Sequence, residues 1–374
     1  MKASINKRIS FLFFGQFVIA GSIVPILTLY LKDYLLFSGS QIGIIMAGSA
    51  VTVIIGPVLN TVVAERWVSS ERLYAICQML GGIFMAILAF QTGFFPFLIL
   101  YLLFYTQFGP SNSLLNAVAF HHSPSNQGKF SGMRVWGTVG WILVAFLFSF
   151  WLGRGGELRD ALFLCAGMGI LLGMFSFLFI PGSKIRASER KSLFPKEVLA
   201  VFLQKDVFFI CILAFLFAFS EKIYYFGLGI FIRELGVAEK AVMPVGSIAQ
   251  FIEIPAMILF TPIFLRLKTR RTLILGATLL TLKYSLFTIG GSLAAVIPGL
   301  ILHGPAFTFF MITCFIYMDE HCDAASRTGV HQLFMILEAG FANLLGNLTA
   351  GFLMERVTGG DGTIFSGPSG LFPQ

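Results

Sequence analysis

Eleven long apolar stretches, separated by short polar loops, fill almost all of this 374-residue chain. They run over residues 10–31, 41–63, 73–92, 94–120, 134–153, 161–181, 207–232, 242–265, 273–292, 294–318 and 330–354. Crossing the ~30 Å hydrocarbon core of a bilayer as a helix takes about 20 apolar residues, so each stretch is long enough. Only helices and closed barrels satisfy their backbone hydrogen bonds in lipid, and runs of this length exclude barrel strands. Charged residues make up 12% of the chain. A soluble domain carries about 25%. The expected fold is an all-α polytopic membrane protein with little chain outside the bilayer.

The loops predict an orientation. Seventeen Lys and Arg fall on one side: Lys2, Lys7, Arg8, Arg66, Arg72, Lys129, six in the 182–206 segment, Arg266, Lys268, Arg270, Arg271 and Arg327. Six fall on the other: Lys32, Arg154, Arg159, Arg233, Lys240 and Arg356. The positive-inside rule then puts the N-terminus in the cytoplasm, in the cytoplasmic (inner) membrane. The net charge of +8 has the same origin and implies no nucleic-acid partner. Cys77, Cys165, Cys211 and Cys314 lie in apolar stretches and Cys322 in a loop, with no metal-site spacing, and no cofactor is implied. The first apolar run is span-length and carries Gln16, which argues against a cleaved signal.

Six spans, a break and five more make the organisation: an N-terminal bundle over 1–181, a cytoplasmic linker over 182–206 and a C-terminal bundle over 207–374. The second half of the linker is amphipathic and reads as a short helix on the membrane face. The halves echo each other weakly. AERWVSSERLYAI follows span 2 and FLRLKTRRTLILG follows span 8, while KFSGMRVWGTVG enters span 5 and SRTGVHQLFMILEAG enters span 11. Repeated halves around a central loop are the layout of a two-lobed secondary transporter.

Polar groups inside the spans point to a site, because an ionisable residue in the membrane faces a cavity or a partner. Arg134, Thr138 and Trp141 share one face of span 5 at i, i+4 and i+7. Span 7 carries Glu221, Lys222 and Tyr225, and Gln250 and Glu253 share a face of span 8. Lys283 lies in span 9, His303, Phe307 and Thr308 in span 10, and Glu338 in span 11, with Asn343 loosely on its face. Each has a plainer reading. Arg134 and Lys283 could snorkel or form structural pairs, and Glu221 and Lys222 could pair locally. His303 and the glutamines could bond helix to helix, and the aromatics could pack. Glu253 and Glu338 are hardest to dismiss, since a carboxylate at mid-span must be paired or protonated.

At these residues the chain resembles the nucleoside:proton symporter family of the major facilitator superfamily. The resemblance runs from about residue 10 to about 355. It is carried by RVWGTVG (134–140), HGPAFTFF (303–310), AERWVSSERLYAIC (64–77), QFIE (250–253) and FGPSNSLLNAVAF (108–120). It implies a two-lobed bundle of twelve helices around a central nucleoside site. Arg134, Thr138, Trp141, Gln250, Glu253 and His303 match positions of that site. The chain departs from the family at Lys222 and Tyr225, which stand where amides are used, at Phe307, which replaces a tyrosine, and at Thr308, which replaces an acidic residue. The residues expected to bind substrate are therefore Arg134, Thr138, Trp141, Lys222, Tyr225, Gln250, Glu253, His303 and Phe307. Glu253 and Glu338 are expected to carry the proton.

After Glu355 the chain reads RVTGGDGTIFSGPSGLFPQ, with no apolar run of 18 residues. This reads as the loop before a twelfth helix that is missing or altered. The expected function is proton-coupled nucleoside uptake by alternating access, with the nucleoside, protons and the lipid bilayer as partners. A facilitator for sugars or other small polar solutes, and a transport-inactive membrane protein, stay open. An enzyme is not expected, because no metal cluster, GxSxG or phosphate-cradling glycine motif is present.

Overall fold

The computed structural model describes residues 2–64, 68–122, 127–182, 196–289, 291–323 and 326–357. The expected loop at the C-terminal end and the first half of the linker fall outside the described residues.

The apolar stretches become helices where they were expected. Span 1 is two helices, Lys2–Ile23 and Leu27–Asp33, joined by a short turn. Spans 2 to 6 are Gly39–Ala64, Ser70–Leu88, Phe94–His122, Gln127–Leu152 and Asp160–Phe179. Span 7 is Lys205–Glu234. Spans 8 and 9 share one apolar segment of 51 residues, Glu239–Ile289, which is too long for a single crossing. Its break is at Lys268, whose φ of 63° takes the chain out of the helix. Span 10 covers Leu293–Glu320 and span 11 ends at Val357. The amphipathic half of the linker forms the helix Lys196–Leu203. Its Val198 and Val201 are buried with Val207, Ile210 and Val330 of the C-terminal spans, while Leu199 and Leu203 stay exposed.

Large apolar side chains also cover the outside of the bundle, among them Phe150, Leu171, Phe177, Ile258 and Leu259. An apolar surface of this extent needs lipid, not water, around it. Inside, spans 1 to 6 pack on one another, with span 3 wedged against spans 4 and 6. Glycines set how near the helices come. A Cβ on Gly140 would lie 2.3 Å from the Phe14 carbonyl oxygen, so the RVWGTVG stretch presses span 5 directly onto span 1.

Spans 2 and 11 join the two halves. A Cβ on Gly43 would meet the Asn347 carbonyl oxygen at 2.9 Å and the Gly351 Cα at 3.1 Å, so both positions need glycine for this approach. The Ser40 backbone N–H donates to Glu355 Oε2 at 2.9 Å, and Lys32 pairs with Glu234 at 3.2 Å. The Tyr34 hydroxyl donates to Glu239 Oε2 at 2.9 Å. Burial and then that carboxylate push the Tyr34 phenol up to about 12, so it stays a donor at neutral pH. Deeper in, Asn343 Nδ2 donates to Ser49 Oγ at 3.0 Å. Among the described residues, these polar contacts between the halves gather at the end poor in Lys and Arg.

Candidate functional site

Three polar groups meet within the apolar interior, and each joins residues from different spans. The first links the two halves. Arg134 sits on span 5 with its guanidinium carbon 5.8 Å from the centroid of the Phe17 ring on span 1. Gly137 and Gly140 on the same helix lie against Phe17 and Phe14, which fixes the rotation of the Arg134 face. The residue remains accessible, and its charge acts on Glu253 of span 8. Thr138 and Trp141 are partly buried, with the Trp141 backbone packed beside Gly21.

The second group is fully inside the C-terminal half. Lys283, with no exposed surface, donates to Glu221 Oε1 at 2.6 Å. Its Nζ lies 3.1 Å from His303 Nδ1, and 3.7 Å from the centroid of the Tyr224 ring, which adds cation–π attraction. His303 Nε2 is 2.9 Å from the Tyr225 hydroxyl. Gln250 sits against that same hydroxyl, and its Oε1 is buried without a hydrogen-bond partner. Gly304 makes the closeness possible. A Cβ there would fall 2.6 Å from the Glu253 backbone nitrogen, so span 10 abuts span 8 only through a glycine.

The third group brings Lys222 of span 7, whose stem lies against Gly346 of span 11, near enough to Glu338 of span 11 for their charges to act on each other without a direct ion pair. Glu338 lies in a π-helical segment, Ile336–Phe341, and a second one, Thr308–Ile312, interrupts span 10. Such bulges offset the helix face and recur at functional sites. Phe307 packs against Phe217, ring centroids 6.4 Å apart, at the edge of the C-terminal core.

Of the expected residues, Tyr225 meets His303 directly with Gln250 beside it, while Arg134 with Glu253 and Lys222 with Glu338 act on each other through charge alone. Glu221 does not pair with its neighbour Lys222. Adjacent residues on a helix point about 100° apart, so Glu221 turns inward to Lys283 while Lys222 turns to span 11. Glu221 and Lys283 belong to the site's surroundings although neither was expected to bind substrate. Their sequence signal was their charge at mid-span, and each had a structural pair as its plainer reading. Among the described residues no cluster of His, Cys, Asp and Glu could hold a metal ion.

The profile described as "Nucleoside H+ symporter" matches residues 1–367. The chain belongs to the nucleoside H+ symporter family. It is 30% identical to the putative nucleoside transporter YegT of Escherichia coli K12, over 94% of this chain and 85% of the relative. It is 26% identical to the nucleoside permease NupG of the same organism, over 95% of this chain and 89% of the relative. The crystal structure of the nucleoside transporter NupG superposes with a TM-score of 0.84 at 23% identity, covering 94% of this chain and 91% of that one. A bacterial homologue of the human lysosomal transporter Spinster, solved in an inward-facing state, superposes at 0.76 with 14% identity, over 96% and 84% of the two chains. The fold is that of these two-lobed transporters. Family membership makes the chain a multi-pass membrane transporter and not an enzyme.

Proposed function

We propose that this chain carries nucleosides together with protons across the cytoplasmic membrane by alternating access. The observation that carries the reading is the match of the symporter family almost end to end, with Arg134 and Glu253 approaching from opposite halves, near enough for their charges to act on each other without a direct ion pair. A charge pair between lobes responds to their separation, and a carboxylate there can exchange its partner cation for a proton. That is the minimum a rocking-bundle symporter needs.

The roles follow from chemistry. Nucleosides join a flat base to a hydroxyl-rich sugar. Arg134, Thr138 and Gln250 supply hydrogen bonds, Tyr225 adds a polar contact, and His303 joins the set through its 2.9 Å contact with the Tyr225 hydroxyl. Trp141 and Phe307 offer aromatic faces for the base. Lys222 completes the substrate set. Glu253 takes the proton, and Glu338, beside Lys222, assists. The seventeen Lys and Arg of the basic side put that side, and the N-terminus, in the cytoplasm.

Counterflow in proteoliposomes tests the substrate. Vesicles loaded with unlabelled uridine, adenosine or xanthosine, but not with glucose or xylitol, are expected to draw in the matching labelled nucleoside. Counterflow of the sugar or polyol alone would move the assignment to a polyol facilitator.

A further inference from the structure

Repetition of the fold exposes an asymmetry between its halves. Gln16 and Glu221 lie 205 positions apart on spans 1 and 7, and Gln78 and Lys283 lie the same 205 positions apart on spans 3 and 9. In the N-terminal half the pair is neutral. Gln78 Nε2 donates to Gln16 Oε1, Tyr74 donates to the same oxygen at 3.2 Å, and Gln16 Nε2 donates to Ser111 Oγ at 2.9 Å on span 4. In the C-terminal half the matching positions hold a buried ion pair, and the third member is His303 on span 10. The amide version shows that holding three such spans together requires no charge. Buried ion pairs contribute little to stability over neutral replacements, so the charge serves another end.

Hydrogen-bond directions give that end. The Lys283 ammonium has only protons to offer, so His303 Nδ1 must turn a lone pair toward it. Glu221 Oε2 is 3.1 Å from the same nitrogen but accepts no hydrogen bond. A neutral His303 then carries its proton on Nε2 and donates it to the Tyr225 oxygen, 2.9 Å away. With that oxygen occupied as an acceptor, the Tyr225 hydroxyl proton points onward. Beside it, Gln250 Oε1 is a buried acceptor without a donor. A buried orphan of this kind costs free energy until something fills it.

We propose that Glu221, Lys283 and His303 form a positioning relay that holds Tyr225 as a hydrogen-bond donor to the substrate, next to Gln250 as an acceptor. The ligand group it fits offers an acceptor and a donor side by side, as the edge of every common nucleobase does. The inference rests on the nucleoside reading above. None of the three relay residues touches the substrate; they act through Tyr225.

The test is a double-mutant cycle read by equilibrium binding of uridine to purified transporter. Tyr225→Phe is expected to weaken binding about tenfold, the worth of one hydrogen bond. Glu221→Gln with Lys283→Gln installs the amide pair used by the other half, so the protein should fold. An amide can donate or accept, which frees the His303 tautomer, and binding is expected to fall severalfold. In the Tyr225→Phe background the amide pair should cost nothing more. Should that protein aggregate, Glu221→Leu with Lys283→Met removes both charges at similar volume and is read the same way. Independent losses that multiply in the triple variant, or unchanged affinity in the amide-pair protein, overturn the relay. Wild-type protein that binds no nucleoside overturns the functional reading instead.

Discussion

Glu253→Gln is expected to abolish proton-driven accumulation while leaving exchange of substrate down its own gradient. The amide copies the shape of the protonated acid but can neither lose a proton nor answer the charge of Arg134. One proton moving through 100 mV supplies about 2.3 kcal/mol, enough for roughly fiftyfold accumulation. The variant should fall to equal concentrations inside and out. Glu338→Gln should reduce accumulation less, because the Lys222 charge on the same half offsets that of Glu338. Uptake into vesicles with and without an inward proton gradient separates the cases. Persistent uphill uptake by Glu253→Gln would assign the proton to another group.

Arg134→Ala is expected to weaken nucleoside binding at least about a hundredfold, the loss of two or more charge-assisted hydrogen bonds. The protein should still fold and insert. Arg134 is accessible, and the contact of span 5 with span 1 is made by Gly137 and Gly140. Arg134→Lys restores the charge without the planar fork, and partial recovery is expected. Binding measured beside size-exclusion profiles tests both points, and near-normal affinity in the alanine variant would remove Arg134 from the site.

Much of this architecture could be read from the chain because the bilayer allows so few alternatives. A run of twenty apolar residues has one structure in lipid, and the helices follow those runs, the first and fifth starting earlier, at Lys2 and Gln127. Arg134 and Glu253 could be singled out for the same reason, since each is the charged member of a polar face on an apolar span. What escaped the sequence depends on rotation and on distance along the chain. The pairing of Glu221 with Lys283, 62 residues on, over adjacent Lys222 follows from which way each side chain leaves span 7. The π-helical turns at Thr308–Ile312 and Ile336–Phe341, the second of which carries Glu338, have no composition signal. Gln16 read as an ordinary bond between helices. Only the folded halves reveal it as the neutral counterpart of Glu221.

The central claim is that nucleoside and proton move together. Its most direct test is proton movement itself: wild-type proteoliposomes containing a trapped pH-sensitive dye, given external uridine with the membrane potential clamped at zero. The account predicts that uridine acidifies the lumen, and that Glu253→Gln vesicles show no such signal while still exchanging labelled uridine. Uridine uptake with no acidification in wild-type vesicles would contradict it.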